Sequence, residues 1–198
     1  MLKELINEFV LDNNIIITAP SGNGSTVFTL YLSNLLLHQN KSILYYNPSK
    51  DIDQEFVKKY HQDVYQNVIF HKESLSLLIN FLEYINYEID YLILDPGDAL
   101  MVSRNVIPMI KSSLKGHIII TSQIRQDPTK NGHIYSPIEE LNKKYNLFKY
   151  SIWIRNVTEE EQLFKSRYID IFENCRIGNQ FLRRYLVRFD SKTGEIIT

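Results

Sequence analysis

Five short apolar runs that do not alternate with polar residues constrain this chain most. They are Ile15-Ile16-Ile17-Thr18, Ile43–Tyr46, Val68–Phe70, Tyr91–Leu94 and Ile118–Thr121. A strand with one wet face alternates; a strand apolar at every position is covered on both faces. Helical stretches separate the runs. Val27–Leu37 is apolar nearly all round, which predicts a buried helix. Asp51–Tyr60 fits a helix with Asp51 as its cap, and Leu75–Tyr84 is amphipathic. Asn105–Leu114 reads as a helix interrupted by Pro108. Strands alternating with helices imply an α/β fold: a mainly parallel sheet, helices on both faces, right-handed crossovers.

The pattern changes after Thr121. Tyr150–Ile154 reads as a further strand. Phe164–Phe172 and Phe181–Phe189 alternate, with Arg183, Tyr185, Val187 and Phe189 on one face of the second run and Leu182, Arg184, Leu186 and Arg188 on the other. Gly178-Asn179 and Lys192-Thr193-Gly194 supply turns. This predicts antiparallel strands extending the sheet at its C-terminal end. The chain contains no repeat, low-complexity tract or evident linker, so one domain over residues 1–198 is expected.

A hydrophobic content of 44% over 198 residues is enough to bury a core and excludes a disordered class. The single cysteine, Cys175, cannot form an intrachain disulfide, which suits a reducing, cytoplasmic setting. No apolar run is long enough to span a bilayer, and Met1-Leu2-Lys3-Glu4 does not read as a leader. The net charge of −1 conceals an asymmetry. Residues 1–98 hold six basic and 13 acidic side chains, and residues 99–198 hold 16 and ten. The second half can therefore offer a basic face to a polyanion. The five histidines lack metal-ligand spacing.

The residues Ala19-Pro20-Ser21-Gly22-Asn23-Gly24-Ser25-Thr26 follow the first run and precede the first helix. Backbone N–H groups of such a turn, and of the helix start behind it, point at an anion. The complete phosphate loop is glycine, four residues, then Gly-Lys-Ser/Thr. Gly24 and Thr26 fit, Ala19 replaces the first glycine, and Ser25 replaces the lysine. Gly22, Asn23, Gly24, Ser25 and Thr26 are thus candidate phosphate contacts, though an ordinary strand–helix turn would look similar.

In its order of motifs the chain resembles the RecA-like P-loop ATPase family, with phage recombinases and replicative-helicase motors as the nearest likenesses. The resemblance rests on the glycine turn, on Tyr91–Leu94 followed by Asp95, on Ile118–Thr121 leading to Gln123, and on the strands over residues 173–195. It implies a three-layer fold, with Thr26 and Asp95 holding magnesium and Gln123 sensing a γ-phosphate. It also implies that the catalytic glutamate position is Ser49 and that the preceding aspartate position is Asn47. With Ser25 and Ser49 in those places the nucleotide motifs are degenerate, so ATP and Mg²⁺ binding is expected to be weak or absent and hydrolysis slow or nil. Gln126–His133 falls where the family carries a DNA-binding loop. Arg125 and Lys130 there, with Arg183, Arg184 and Arg188 on the last long strand, are candidate DNA contacts. The partners implied are DNA, possible further copies of the chain, and another recombination or replication protein. The chain shows no evident N-terminal assembly segment before Ile15. Two other readings stay open. One is an active ATPase in which a lysine such as Lys50, or a neighbouring subunit's arginine, replaces the missing charge and an acid such as Asp98 orients water. The other is an interaction scaffold built on the 12% aromatic content. The abundance of Ile, Asn, Lys and Tyr suits an AT-rich phage or bacterial source.

Overall fold

A computed structural model describes residues 2–48, 52, 54–84, 88–96, 105–127, 133–156, 166–173, 180–190 and 196–197. The apolar runs form the parallel strands β1 (Ile15–Ala19), β2 (Ile43–Tyr46), β3 (Ile69–His71), β4 (Tyr91–Leu94) and β5 (His117–Gln123). A short ribbon, β6 (Arg125–Asp127) and β7 (His133–Tyr135), follows β5. The chain then returns to the main sheet as β8 (Tyr150–Asn156), β9 (Ser166–Glu173), β10 (Phe181–Phe189) and β11 (Ile196–Ile197). Among the described residues nine strands make one sheet, in the order β11-β10-β9-β8-β1-β5-β4-β2-β3. From β3 to β8 all pairings are parallel, and β8 through β11 pair antiparallel. Both halves of the expected sheet are therefore present.

Strand parity divides the core in two. Ile15, Ile17, Tyr45, Ile93 and Ile119 pack under α1 (Leu2–Leu5) and the π-helical turn Ile6–Val10, and under α2 (Ser25–Leu37), α3 (Gln54–Tyr60) and α4 (Gln62–Asn67). Ile16, Leu44, Leu92, Ile118 and Ile120 pack under α5 (Leu75–Tyr84), α6 (Val106–Ser113) and α7 (Pro137–Tyr145). Helices on both faces explain why the central strands are buried at every position.

Some elements depart from the sequence expectation. Pro108 does not interrupt α6; it is the third helical residue, where a missing N–H removes no helical hydrogen bond. The ribbon β6–β7 and helix α7 are additional elements. Asp51 and the turns at Gly178-Asn179 and 192–194 lie outside the described residues.

Candidate functional site

β1 ends at Ala19 and α2 begins at Ser25, so the glycine turn sits at the carboxyl edge of the central strand. The Asn23 N–H donates to Pro20 O at 3.1 Å, and the Phe28 N–H to Gly24 O at 2.9 Å. Gly24 caps α2 with φ +88°, left-handed backbone that side chains disfavour. A Cβ there would also stand 3.4 Å from Cδ1 and Cε1 of Phe189, at the end of β10. The first N–H groups of α2 have no intrahelical acceptor, and the helix dipole adds positive potential at the same end. Asn23 is 8% exposed, and among the described residues its Nδ2 has no hydrogen-bond partner. Gly22 is exposed, while Ser25 and Thr26 are half-buried. The five expected phosphate contacts thus form one surface-accessible turn with an unmet donor.

Behind the turn lies a buried polar chain. Asp95, 2% exposed, follows β4. The Tyr45 hydroxyl donates to its Oδ2 at 2.7 Å and the Thr121 hydroxyl to its Oδ1 at 2.7 Å. The Thr29 hydroxyl on α2 is 2.6 Å from that of Tyr45 and 2.8 Å from Thr26 O. Asn47 Nδ2 donates to Asp95 O at 2.6 Å, and the Asp95 N–H to Tyr46 O at 3.0 Å. Burial first, and then the charge of Asp95, push the Tyr45 hydroxyl well above its ordinary pKa. It therefore stays protonated and remains a donor. Sequence reading found Asp95 and Asn47 but not Tyr45, because a tyrosine in an apolar strand reads as core.

Gln123 ends β5 as the register partner of Ala19, and the Ile124 N–H donates to Ala19 O at 2.9 Å. Its place beside the root of the glycine turn follows from the β1–β5 pairing. The strand carrying Asp95 is separated from β1 by β5, so the turn, Gln123 and Asp95 stand side by side along one edge.

The crystal structure of the RadB recombinase is similar in fold over 98% of this chain and 94% of its own, with a TM-score of 0.67 and 12% sequence identity. The fold is RecA-like. No family model matches the chain, and no curated protein matches its sequence. Identity this low establishes the fold and leaves function to be argued from the residues.

The antiparallel extension of this RecA-like sheet carries the basic candidates, on two different faces. Arg183 lies on the face of Tyr185 and Val187, donates to Glu8 Oε2 at 2.7 Å, and stands 5.8 Å from the Phe9 ring. Arg184 and Arg188 lie on the opposite face and are exposed. Here Arg155 on β8 joins Arg184. Both guanidinium groups lie 4.9 Å from the Tyr168 ring centre and both donate to Asp170, through Nε at 2.7 and 2.6 Å respectively. Arg155 and Tyr168 escaped the sequence reading because register, not spacing, brings them together. For Arg125 the structure gives only a backbone position in β6. Ser49, Lys50, Asp98 and Lys130 lie outside the described residues. No helix is long and apolar enough to cross a membrane among the described residues.

Proposed function

We propose that this chain is a recombination-related RecA-like core that binds nucleotide phosphate weakly, turns it over slowly or not at all, and binds DNA as a regulatory subunit. The nucleotide reading is carried by one observation: a β1–α2 turn with left-handed Gly24 and a buried, unpartnered Asn23 Nδ2 in front of a 13-residue helix. The match to a recombinase structure supports the recombination setting. Ser25 can donate a hydrogen bond to a phosphate but brings no charge to offset it, which is why binding should be weak and transition-state stabilisation poor. Gln123, the register partner of Ala19 at the root of the turn, is the residue assigned to register occupancy. Arg155 and Arg184, held over Tyr168, with exposed Arg188 on the same face, supply the charge and ring surface a single DNA strand needs. Calorimetric titration with ATP, with Ser25→Lys as companion, tests the reading. Binding with a dissociation constant of about 1 μM to 1 mM, tightened by Ser25→Lys, is expected. Silence in both proteins would show that the glycine turn is only architecture.

A further inference from the structure

Asp95 occupies the place where the resemblance puts a carboxylate that holds magnesium through water. Its surroundings are of another kind. A carboxylate only accepts hydrogen bonds, so the Tyr45 and Thr121 hydroxyls must both donate to it. With the Tyr45 proton committed to Asp95, Tyr45 accepts in the short contact to Thr29, whose single proton is shared with Thr26 O at 2.8 Å. The chain of hydroxyls therefore runs from Thr29 on α2 through Tyr45 into Asp95. Its members are enclosed: Tyr45 and Thr29 are 0% exposed, Thr121 and Asp95 2%, and the Tyr45 ring packs 5.4 Å from that of Phe70. Magnesium demands six oxygens at about 2.1 Å and keeps several of its waters. A hydrated ion at Asp95 would have to compete with the Tyr45 and Thr121 hydroxyls, whose other polar neighbours are Thr29 and, at 3.5 Å, Leu94 O.

The charge arithmetic agrees. In a complete loop the lysine and the metal are the two positive groups that bridge the β- and γ-phosphates. Ser25 stands for the first. The carboxylate that would recruit the second already holds a protein hydroxyl on each oxygen. What remains is the amide cradle, Asn23 and the helix dipole, which hold a phosphate group without reaching specifically for the third one of a chain.

We propose that Asp95 is the terminal acceptor of an internal hydroxyl relay rather than a metal position. A nucleotide on the Gly22–Thr26 turn is then bound without a divalent ion and without preference for triphosphate over diphosphate. The nucleotide clause rests on the function proposed above; the Asp95 clause does not.

The full-length chain should be titrated with ATP and with ADP, each in EDTA and in excess Mg²⁺. The four dissociation constants are expected to agree within about twofold, and a tightening by Mg²⁺, or a preference for ATP, of about tenfold overturns the proposal. A second arm needs no nucleotide. Mn²⁺ alone is titrated against the protein and followed by electron paramagnetic resonance, and urea midpoints are measured for Tyr45→Phe, Asp95→Asn and the double variant. Free Mn²⁺ throughout and strongly non-additive losses of stability are expected, because both substitutions alter the one Tyr45–Asp95 contact. A stoichiometric Mn²⁺ site lost in Asp95→Asn, or additive losses, overturns the relay. Silence toward every nucleotide overturns the phosphate-cradle reading alone, and the manganese and stability arms then decide the Asp95 assignment by themselves.

Discussion

Asp170 is 4% exposed, and two guanidinium groups reach it from neighbouring strands. Buried carboxylates are costly unless paired, so the two arginines are what allow Asp170 to sit within the sheet face. Asp170 in turn fixes both arginines over Tyr168. Asp170→Ala should therefore lower unfolding stability by about 2 kcal/mol in urea denaturation, discounted because the arginines are themselves about half exposed. The Glu8–Arg183 pair is a useful contrast. Its bond is as short, at 2.7 Å, but its side chains are 47% and 44% exposed. Solvent screens such a pair, and Glu8→Gln should leave the urea midpoint unmoved. Equal losses from Glu8→Gln and Asp170→Ala would show that burial does not separate them. Gly24 is limited by its backbone instead. Gly24→Ala should cost about 1–2 kcal/mol through its positive φ, and it should weaken any phosphate binding as the turn relaxes away from that backbone.

At the scale of elements, histidines near strand ends link folding to pH. His71 ends β3 with its ring 5.7 Å from that of Tyr46 and 5.8 Å from that of Phe81. Burial lowers its pKa from the ordinary 6.5, with Glu73 pulling the other way. His117 opens β5, and burial followed by the charge of Lys111 lowers it too, against Asp12 and Asp90. The unfolded chain then takes up protons first. Stability from these groups is complete above 6.5 and is lost as pH falls toward the folded values. Urea midpoints should fall between about pH 7 and about pH 5.5, and His117→Gln should reduce that fall. An unchanged slope in the variant would remove His117 from the account. The same elements show what the sequence could reveal. The five apolar runs declared a doubly covered sheet because each is short and lacks alternation. The glycine turn was legible because strand, turn and helix are contiguous. Helix α7 was also written in the sequence, with Ser136-Pro137 at its start and Ile138, Leu141 and Tyr145 at helical spacing, but it lies beside a polar segment and was overlooked. The Asp95 relay was not legible at all. It depends on β2 lying beside β4 and β4 beside β5, and contiguous sequence does not encode strand order.

Across the whole molecule, strand order turns a sequence asymmetry into a spatial one. The acidic first half supplies β4, β2 and β3 at one end of the sheet, and the basic second half supplies β8 to β11 at the other. Strands β8, β9 and β10 carry Arg155, Arg167, Arg183, Arg184 and Arg188 against Asp170 and Glu173, and β2, β3 and β4 carry neither lysine nor arginine. A polyanion would be steered toward one end and repelled from the other. Binding to a fluorescent single-stranded oligonucleotide should weaken steeply with salt, each phosphate contact adding about 0.7 to the logarithmic slope. Arg188→Ala, away from the Asp170 clamp, should reduce that slope by about 0.7. Lys58→Ala with Lys59→Ala, on α3 between β2 and β3 at the acidic end, should leave it unchanged. If the lysine variant lowered the slope as much as Arg188→Ala, binding would follow diffuse charge. The β8–β10 face would then lose its claim to the DNA.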